Sequence, residues 1–516
     1  GCLGMGVWSY LLYCLLLLFI GVPVIIGLLI LWAHVAISKK QKQNTMMLES
    51  GEQRMIPRIG SPVVLLLKSF KSMISGKSRG KGAMKEFNKQ LSGSGEEKIV
   101  QSVLLYLPAV TISDADVARQ ALFAKQSQVS KAQIRSRFID RFLSQSILLA
   151  PEDSWKRHKT ALSPAFAWQH IQSVLPEFIE IVTNLEELWH KEEQPIVIYP
   201  WLKRATLDAI GKGGFGFDFR ALFEGDESPE IKNYEALQLE LRKPIHFFDR
   251  LDRLMGTYAK MEEQLDTFEE FMFRLLREKR ERAENEENYK PKDILDYLVT
   301  AQENSSLSDT EILHDMNTFF IAGHETTAGA LNSAIQLLAR YPEAQERARD
   351  EIRSICGNRD PTYEDIKSMT YLECCVKETL RLFPPAPILT RSAVEDTQIG
   401  NLSVKKGALL VINTIAIHSD SKLWGPDAAE FQPERFLPEN RKQIAKNSYF
   451  PFSMGPRQCI GNNFALLEIR TFLAGLLNKF SFDPDPNSTE KFEDYMGSVF
   501  MANPECPLVI TPINKE

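Results

Sequence analysis

The chain has 516 residues, 44% hydrophobic and 25% charged, enough for one large or two ordinary domains around a substantial core. A net charge of −6 gives binding to nucleic acid no electrostatic support, so no nucleic-acid partner is expected. Seven cysteines lie scattered, and the adjacent Cys374 and Cys375 make no plausible disulfide staple, which points to reduced thiols in a cytosol-facing domain.

Residues 7–32 carry no charge. About 20 apolar residues cross a bilayer core, so this run can span one with some tilt. No basic residue precedes it and it is long for a signal peptide, so residues 7–34 are expected to be a retained single-pass anchor in the lipid bilayer. Lys39, Lys40, Lys42 and Arg54 follow, and the positive-inside rule keeps that side cytosolic. Residues 35–60 read as a polar linker, leaving 61–516 for the catalytic domain. Six basic residues and no acidic one lie between positions 68 and 85, either a solvated loop or a contact for anionic headgroups.

Short β-type runs appear at 103–110 and 408–415, and the remainder is mostly helical in pattern. The fold class expected is mainly α with a small β-rich lobe. Gly211-Lys-Gly213-Gly-Phe-Gly216 matches a dinucleotide fingerprint, yet it follows a helical pattern where that motif requires a strand, and it reads as a helix stop. Gly76-Lys77-Ser78 lacks the earlier glycine of a phosphate loop. Residues 260–292 read as a solvated amphipathic helix without chemistry.

The clearest helix opens at the capping box Ser308-Asp-Thr-Glu311 and runs to about Arg340, before Tyr341-Pro342. Within it, Ala322-Gly323-His324-Glu325-Thr326-Thr327 is a run of poor mid-helix residues. A threonine hydroxyl can bond a carbonyl one turn back, and a local bulge with room for a small ligand and a water chain is expected. The lone His324 reads as a satisfied core residue rather than a metal ligand. Glu378 and Arg381 share a helix face at i and i+3, and Leu380, Leu382 and Phe383 around them imply a buried pair. Phe431-Gln-Pro433-Glu-Arg435-Phe436 follows.

Last comes Phe452-Ser-Met-Gly455-Pro-Arg457-Gln-Cys459-Ile-Gly461, a glycine-flanked cysteine ahead of a helical pattern. A helix N-terminus biases a cysteine toward thiolate. Zinc would need partners at close spacing, and no Cys or His lies within about thirty residues. A nucleophile would need a histidine base that only the fold could supply. Haem iron is the third option, since one axial thiolate favours O–O cleavage.

From about Pro57 to its end the chain resembles the cytochrome P450 superfamily of microsomal, membrane-anchored type. Phe452, Gly455, Arg457, Cys459 and Gly461 match the haem-binding loop F-x-x-G-x-R-x-C-x-G at all five positions. Residues 322–327 resemble the oxygen-activation motif [A/G]-G-x-[D/E]-T-[T/S], Glu378 and Arg381 the E-x-x-R, and residues 433–436 the P-E-R-F segment. The resemblance implies haem b between the long helix and the cysteine loop, with Cys459 as its axial thiolate. Gly323, Glu325 and Thr326 are then catalytic, Thr326 hydrogen-bonding dioxygen and Glu325 relaying protons. Glu378, Arg381 and Arg435 become a buried structural cluster, while Trp155, Arg391 and Arg457 attend the propionates. Where the family has W-x-x-x-R this chain ends in Lys159, which keeps the charge and loses the fork, with Arg157 a turn-face away as an alternative. Lys156, Arg157 and Lys159 are either a solvated face or a surface for an acidic reductase.

The implied activity is monooxygenation at the endoplasmic reticulum membrane. O2 is the oxidant, and electrons come from NADPH through a separate flavoprotein reductase. The substrate class is a lipophilic fatty acid, terpenoid, sterol or xenobiotic. A peroxide-rearranging isomerase or dehydratase, needing neither O2 nor reductase, is the rival, and such members usually lack the acid–threonine pair. A haem sensor without turnover is a third class. Some fatty-acid ω-hydroxylases link haem covalently through a glutamate where this chain has Ala322, so extractable haem is expected. Pocket walls are expected from 120–148, 230–250, 384–390, Phe319, Phe320 and 499–501, with Phe247, Phe248 and Pro384 prominent.

Overall fold

A computed structural model describes residues 98–513 apart from 105–106, 132–136, 242–251, 253–255, 306, 401 and 496–503. The expected anchor, linker and basic stretch lie outside the described residues, as do Phe247, Phe248 and 499–501. Among the described residues no helix is long and apolar enough to cross a membrane.

The strands are β1 (Ile99–Leu104), β2 (Leu107–Ile112), β3 (Val129–Lys131), β4 (Ile388–Ala393), β5 (Thr397–Ile399), β6 (Leu402–Val404), β7 (Leu409–Asn413), β8 (Phe480–Pro484) and β9 (Leu508–Pro512). Five form one sheet in the order β1-β2-β7-β4-β3, with β2 and β7 parallel from Ala109↔Leu409 to Ile112↔Ile412. All five residues of β7 are buried, which is why the sequence shows an unbroken apolar run there rather than an alternation. The other described residues are largely helical.

The long helix, Asp309–Arg340, starts where the sequence places it, with both halves of the Ser308–Glu311 capping box formed. It stops at Tyr341, whose N–H donates to Leu337 O at 2.9 Å, because Pro342 opens the next helix, Pro342–Cys356. It is buried on nearly every face and acts as the pillar of the helical core. Gly323 is where the helix Tyr199–Ile210 crosses it: a Cβ there would lie 2.7 Å from Ile210 Cδ1. The Thr206 hydroxyl fastens this crossing, donating to His324 O at 3.0 Å.

The glycine-rich stretch Gly211–Phe215 is a π-helical turn extending that crossing helix, and it closes at Gly216 with a left-handed φ of 60°. It follows a helix, so a dinucleotide loop is ruled out. The charged helix ends at Asn285, short of residue 292, and Lys279 on it is buried against Asp293 and Asp296. That part of the helix is therefore packed rather than solvated.

Among the described residues two large apolar cores result, with two small clusters beside them. Val110, Ile112, Leu122, Leu410, Ile412 and Phe450 belong to the β lobe, while Phe452, Ile460 and Phe464 pack on the helical core. The cysteine loop thus lies on the seam between them. Below it, helix Asn462–Lys479 meets helix Leu175–Trp189, with Phe178 edge-on to Phe464 at 5.3 Å and to Phe472 at 6.3 Å. Glu468 sits on the same face between those two phenylalanines, fully buried, with no hydrogen-bond partner for either oxygen among the described residues. Burial pushes its carboxyl well above the usual range.

An acid whose pKa is raised by folding ionises first in the unfolded chain, so it costs stability as pH climbs past its unfolded value of about 4.3. Glu468→Gln should therefore raise the thermal midpoint at neutral pH, with the gain over wild type growing by about 1.4 kcal/mol per pH unit from there. Calorimetry at several pH values checks this; a gain independent of pH would mean that the carboxyl ionises equally in both states.

Candidate functional site

The cysteine loop is held by its own backbone. Ser453 N–H donates to Phe450 O at 2.9 Å, Gln458 N–H to Gly455 O at 3.1 Å, and Cys459 N–H to Phe452 O at 3.0 Å. Gly455 has φ 80°, and a Cβ on it would lie 2.5 Å from Leu122 O, so both conformation and space demand glycine. Helix Asn462–Lys479 begins three residues after Cys459, with Gly461 as its N-cap. The Gly461 N–H and the Lys131 ammonium both favour the Cys459 thiolate, yet burial outweighs them and raises the thiol's pKa. Helix position alone therefore does not ionise this cysteine. Its side chain is exposed.

Three cations converge beside it. Lys131 on β3 is paired in register with Arg391 on β4, and both line a small cavity with Arg457, Gln126 and Pro456. Like charges directly opposite on neighbouring strands repel. Burial, then Arg391, then Arg457, pull the Lys131 ammonium down to about 7. Burial alone lowers Arg391 to about 10, and burial followed by Arg391 does the same to Arg457. Among the described residues no carboxylate reaches Lys131 or Arg391 within ion-pair distance. Arg457 donates to Gln126 Oε1 at 2.7 Å, to Ala150 O at 2.6 Å and to Ile147 O at 3.2 Å, and lies 4.4 Å over the Trp155 ring. Lys159 approaches the same ring at 5.1 Å. Arg157 instead donates to Glu311 Oε1 at 2.7 Å.

The long helix is open over one turn. Ala322 is exposed and Gly323, Glu325 and Thr326 are half-exposed, while residues 311–320 and 327–339 are buried. Phe166 ties this stretch to the cysteine end: a Cβ on Gly461 would sit 3.7 Å from its ring, which lies 5.5 Å from Phe319, one turn before Ala322. The Thr326 hydroxyl donates to Ala322 O at 2.6 Å and Thr327 to Gly323 O at 3.0 Å. The helix nevertheless stays α-helical throughout, so the expected bulge is not formed. His324 faces away, fully buried, with Nδ1 2.7 Å from Phe320 O and Nε2 3.3 Å from the Tyr234 hydroxyl; burial lowers it to about 3 and keeps it neutral.

Beneath the loop, Arg381 grips Glu378 with two bonds of 2.7 Å, both residues wholly buried, and Arg435 lies 3.4 Å from the same carboxylate. The remaining Arg381 donors hold His418 O at 2.8 Å, Ala428 O at 2.6 Å and Glu430 O at 3.0 Å.

The family profile described as Cytochrome P450 matches residues 62–509. The chain is a cytochrome P450. Among curated relatives, it is 31% identical over 401 residues to "Cytochrome P450 CYP72A613" of Trigonella foenum-graecum, covering 74% of each chain. It is 32% identical over 398 residues to "11-oxo-beta-amyrin 30-oxidase" of Medicago truncatula, again 74% of each. To "Leukotriene-B4 omega-hydroxylase 3" of Mus musculus it is 28% identical over 410 residues, 73% of this chain and 76% of the other.

As a P450 the protein is a haem-thiolate monooxygenase with haem b, and its residues fit that cofactor. Three converging cations, Lys131 and Arg391 among them with no carboxylate within ion-pair distance among the described residues, suit two propionates, and an accessible cysteine suits an iron ligand. Two contributors escaped sequence reading. Lys131 shares a strand face with buried Val129, a lysine on an apolar side, which was the available signal. His418, buried and lowered to about 3 chiefly by burial, accepts from Phe450 N–H through Nε2 at 3.0 Å. It thereby joins the Glu378–Arg381 pair to the mouth of the cysteine loop.

A bound propionate would raise Lys131 back toward its ordinary value, so haem uptake takes up a proton above pH about 7. Haem retention should weaken as pH rises from there, and Lys131→Gln should flatten that dependence. Transfer of haem to apomyoglobin across pH measures both; an unchanged slope in the variant would remove Lys131 from the propionate site.

Proposed function

We propose that this P450 inserts one oxygen atom from O2 into a lipophilic molecule of terpenoid or fatty-acid type, with sterols and xenobiotics as further classes. Electrons come from NADPH through a separate flavoprotein reductase. Residues 7–34 anchor it in the endoplasmic reticulum membrane, 35–60 are the linker, and 61–516 form the catalytic domain facing the cytosol. The observation that carries the reading is the pairing of an accessible Cys459 with one open turn in an otherwise buried helix. The names of a β-amyrin oxidase and a leukotriene hydroxylase among its relatives support an extended apolar substrate.

Haem, when bound, supplies the activation of dioxygen. Cys459 would hold it from the loop, while Lys131, Arg391 and Arg457 would balance its propionates, with Trp155 stacked on Arg457. Phe452 and Gly461 wall the cysteine. Thr326 donates its proton to Ala322 O and keeps oxygen lone pairs free, so its hydroxyl can turn to receive or pass a proton at the open turn. Glu325, half-exposed in the same turn, is the proton carrier. Gly323 contributes by letting the crossing helix press against the pillar. Glu378, Arg381 and Arg435 act through the loop they support.

The reduced protein with carbon monoxide should show the strongly red-shifted Soret band of thiolate ligation, and Cys459→Ala should lose it. A band at the histidine-ligated position would overturn the assignment. With a reductase present, Thr326→Ala should cut product formed per NADPH on the order of tenfold, in favour of hydrogen peroxide, as expected on losing a positioned proton donor. Unchanged coupling would take Thr326 out of the proton path.

A further inference from the structure

Residues 142–150 run between the first turns of the long helix and the cysteine loop, and both sides grip them. From the helix, Asn317 Nδ2 donates to Phe142 O at 3.1 Å, His314 Nδ1 accepts from Gln145 N–H at 3.0 Å, and Asp315 Oδ1 accepts from Ile147 N–H at 2.6 Å. From the loop, Arg457 donates to the carbonyls of Ile147 and Ala150. The Ile147 residue is therefore fixed at its N–H by a carboxylate and at its C=O by a guanidinium.

The second oxygen of Asp315 meets Nδ1 of His158 at 2.5 Å, and both side chains are wholly buried. His158 lies three residues after Trp155, the ring on which Arg457 stacks. Its Nε2 has no hydrogen-bond partner among the described residues and lies 3.5 Å from Glu311 Oε1. That same oxygen accepts from Arg157, whose side chain is 42% exposed, and from Ser154 Oγ at 3.1 Å. With Nδ1 taken by Asp315, Nε2 is left facing the Glu311 carboxylate. The ionisable groups facing the pair are Glu311 and His314 on the long helix and Arg157 on its own helix.

We propose that His158 and Asp315 form a buried positioning dyad that sets Arg457 through Ile147, and that the Arg157–Glu311 bridge braces the dyad from the surface. The arrangement of the exposed helix face is thereby transmitted to the haem side of the cysteine loop. The proposal rests on the reading of Arg457 as a propionate partner. Loosening the dyad frees the Ile147 carbonyl and lets the Arg457 charge move relative to the haem in a low-dielectric setting, so the reduction potential should shift while thiolate ligation is kept.

Spectroelectrochemistry of the holoenzyme tests this. Asp315→Asn and His158→Gln should each shift the haem reduction potential, and the double variant should shift it no further than the larger single shift, because both act through the one contact to Ile147. Arg157→Gln, and Glu311→Gln, which still completes the capping box, should move it the same way by less, and they decide the matter where the buried variants fail to take up haem. Additive shifts in the double variant, or potentials unchanged in every variant that takes up haem, would overturn the dyad. Failure of the haem reading itself is separate, since it would show as a missing thiolate spectrum before any variant is made.

Discussion

Glu378 and Arg381 are the charged pair on which the site rests. Both lie out of water, and a buried ion pair returns its desolvation cost only when every remaining donor and acceptor is used. Here they are: Arg381 takes the carbonyls of His418, Ala428 and Glu430, and Glu378 takes the Gln432 N–H at 3.0 Å. The segment from 418 to 432 is thereby folded around one guanidinium. Losing either partner would strand a buried charge at a cost of about 3–5 kcal/mol. His418 then hands the constraint on, joining Arg381 O to Phe450 N–H.

What this chain of bonds holds in place is a loop between two cores. Phe450 is anchored in the β lobe and Phe452 and Ile460 in the helical part, so Cys459 is located by both. The same seam gathers Lys131 and Arg391 from paired strands and Arg457 from the loop. Three like charges this close would spread apart if their elements could move. The sheet register and the Gly455–Leu122 contact fix them, and the repulsion becomes preorganised affinity for a doubly anionic cofactor.

The long helix supplies the opposite wall. Its first turns spend their polar side chains on the 142–150 segment, its middle opens for one turn, and its last half is packed apolar core. A single rigid element therefore relates the cysteine loop, through Arg457 and Ile147, to the turn bearing Glu325 and Thr326. The helix stays α-helical across this turn even though both threonine hydroxyls bond back to carbonyls one turn earlier.

Much of this was legible in the chain because it is local. The Ser308–Glu311 cap, the stop at Tyr341-Pro342, the i, i+3 spacing of Glu378 and Arg381 and the glycine-framed cysteine each depend on residues a few positions apart. Lys131, His418 and the His158–Asp315 pair were not legible. Each acquires its partner across tens to hundreds of positions, and a lysine or histidine looks the same in sequence whether its neighbours are water or a carboxylate. Charge state followed the same division. Sequence position put Cys459 near a helix N-terminus, but the surrounding protein raised its thiol, since desolvation is a sum over every nearby atom rather than a property of the helix. The sequence by itself determined which residues could serve haem, through spacing and backbone conformation. Only the tertiary structure decided which cations meet, which acids are paired and which turn lies open, because burial and long-range contact exist only once the two cores have closed around the loop.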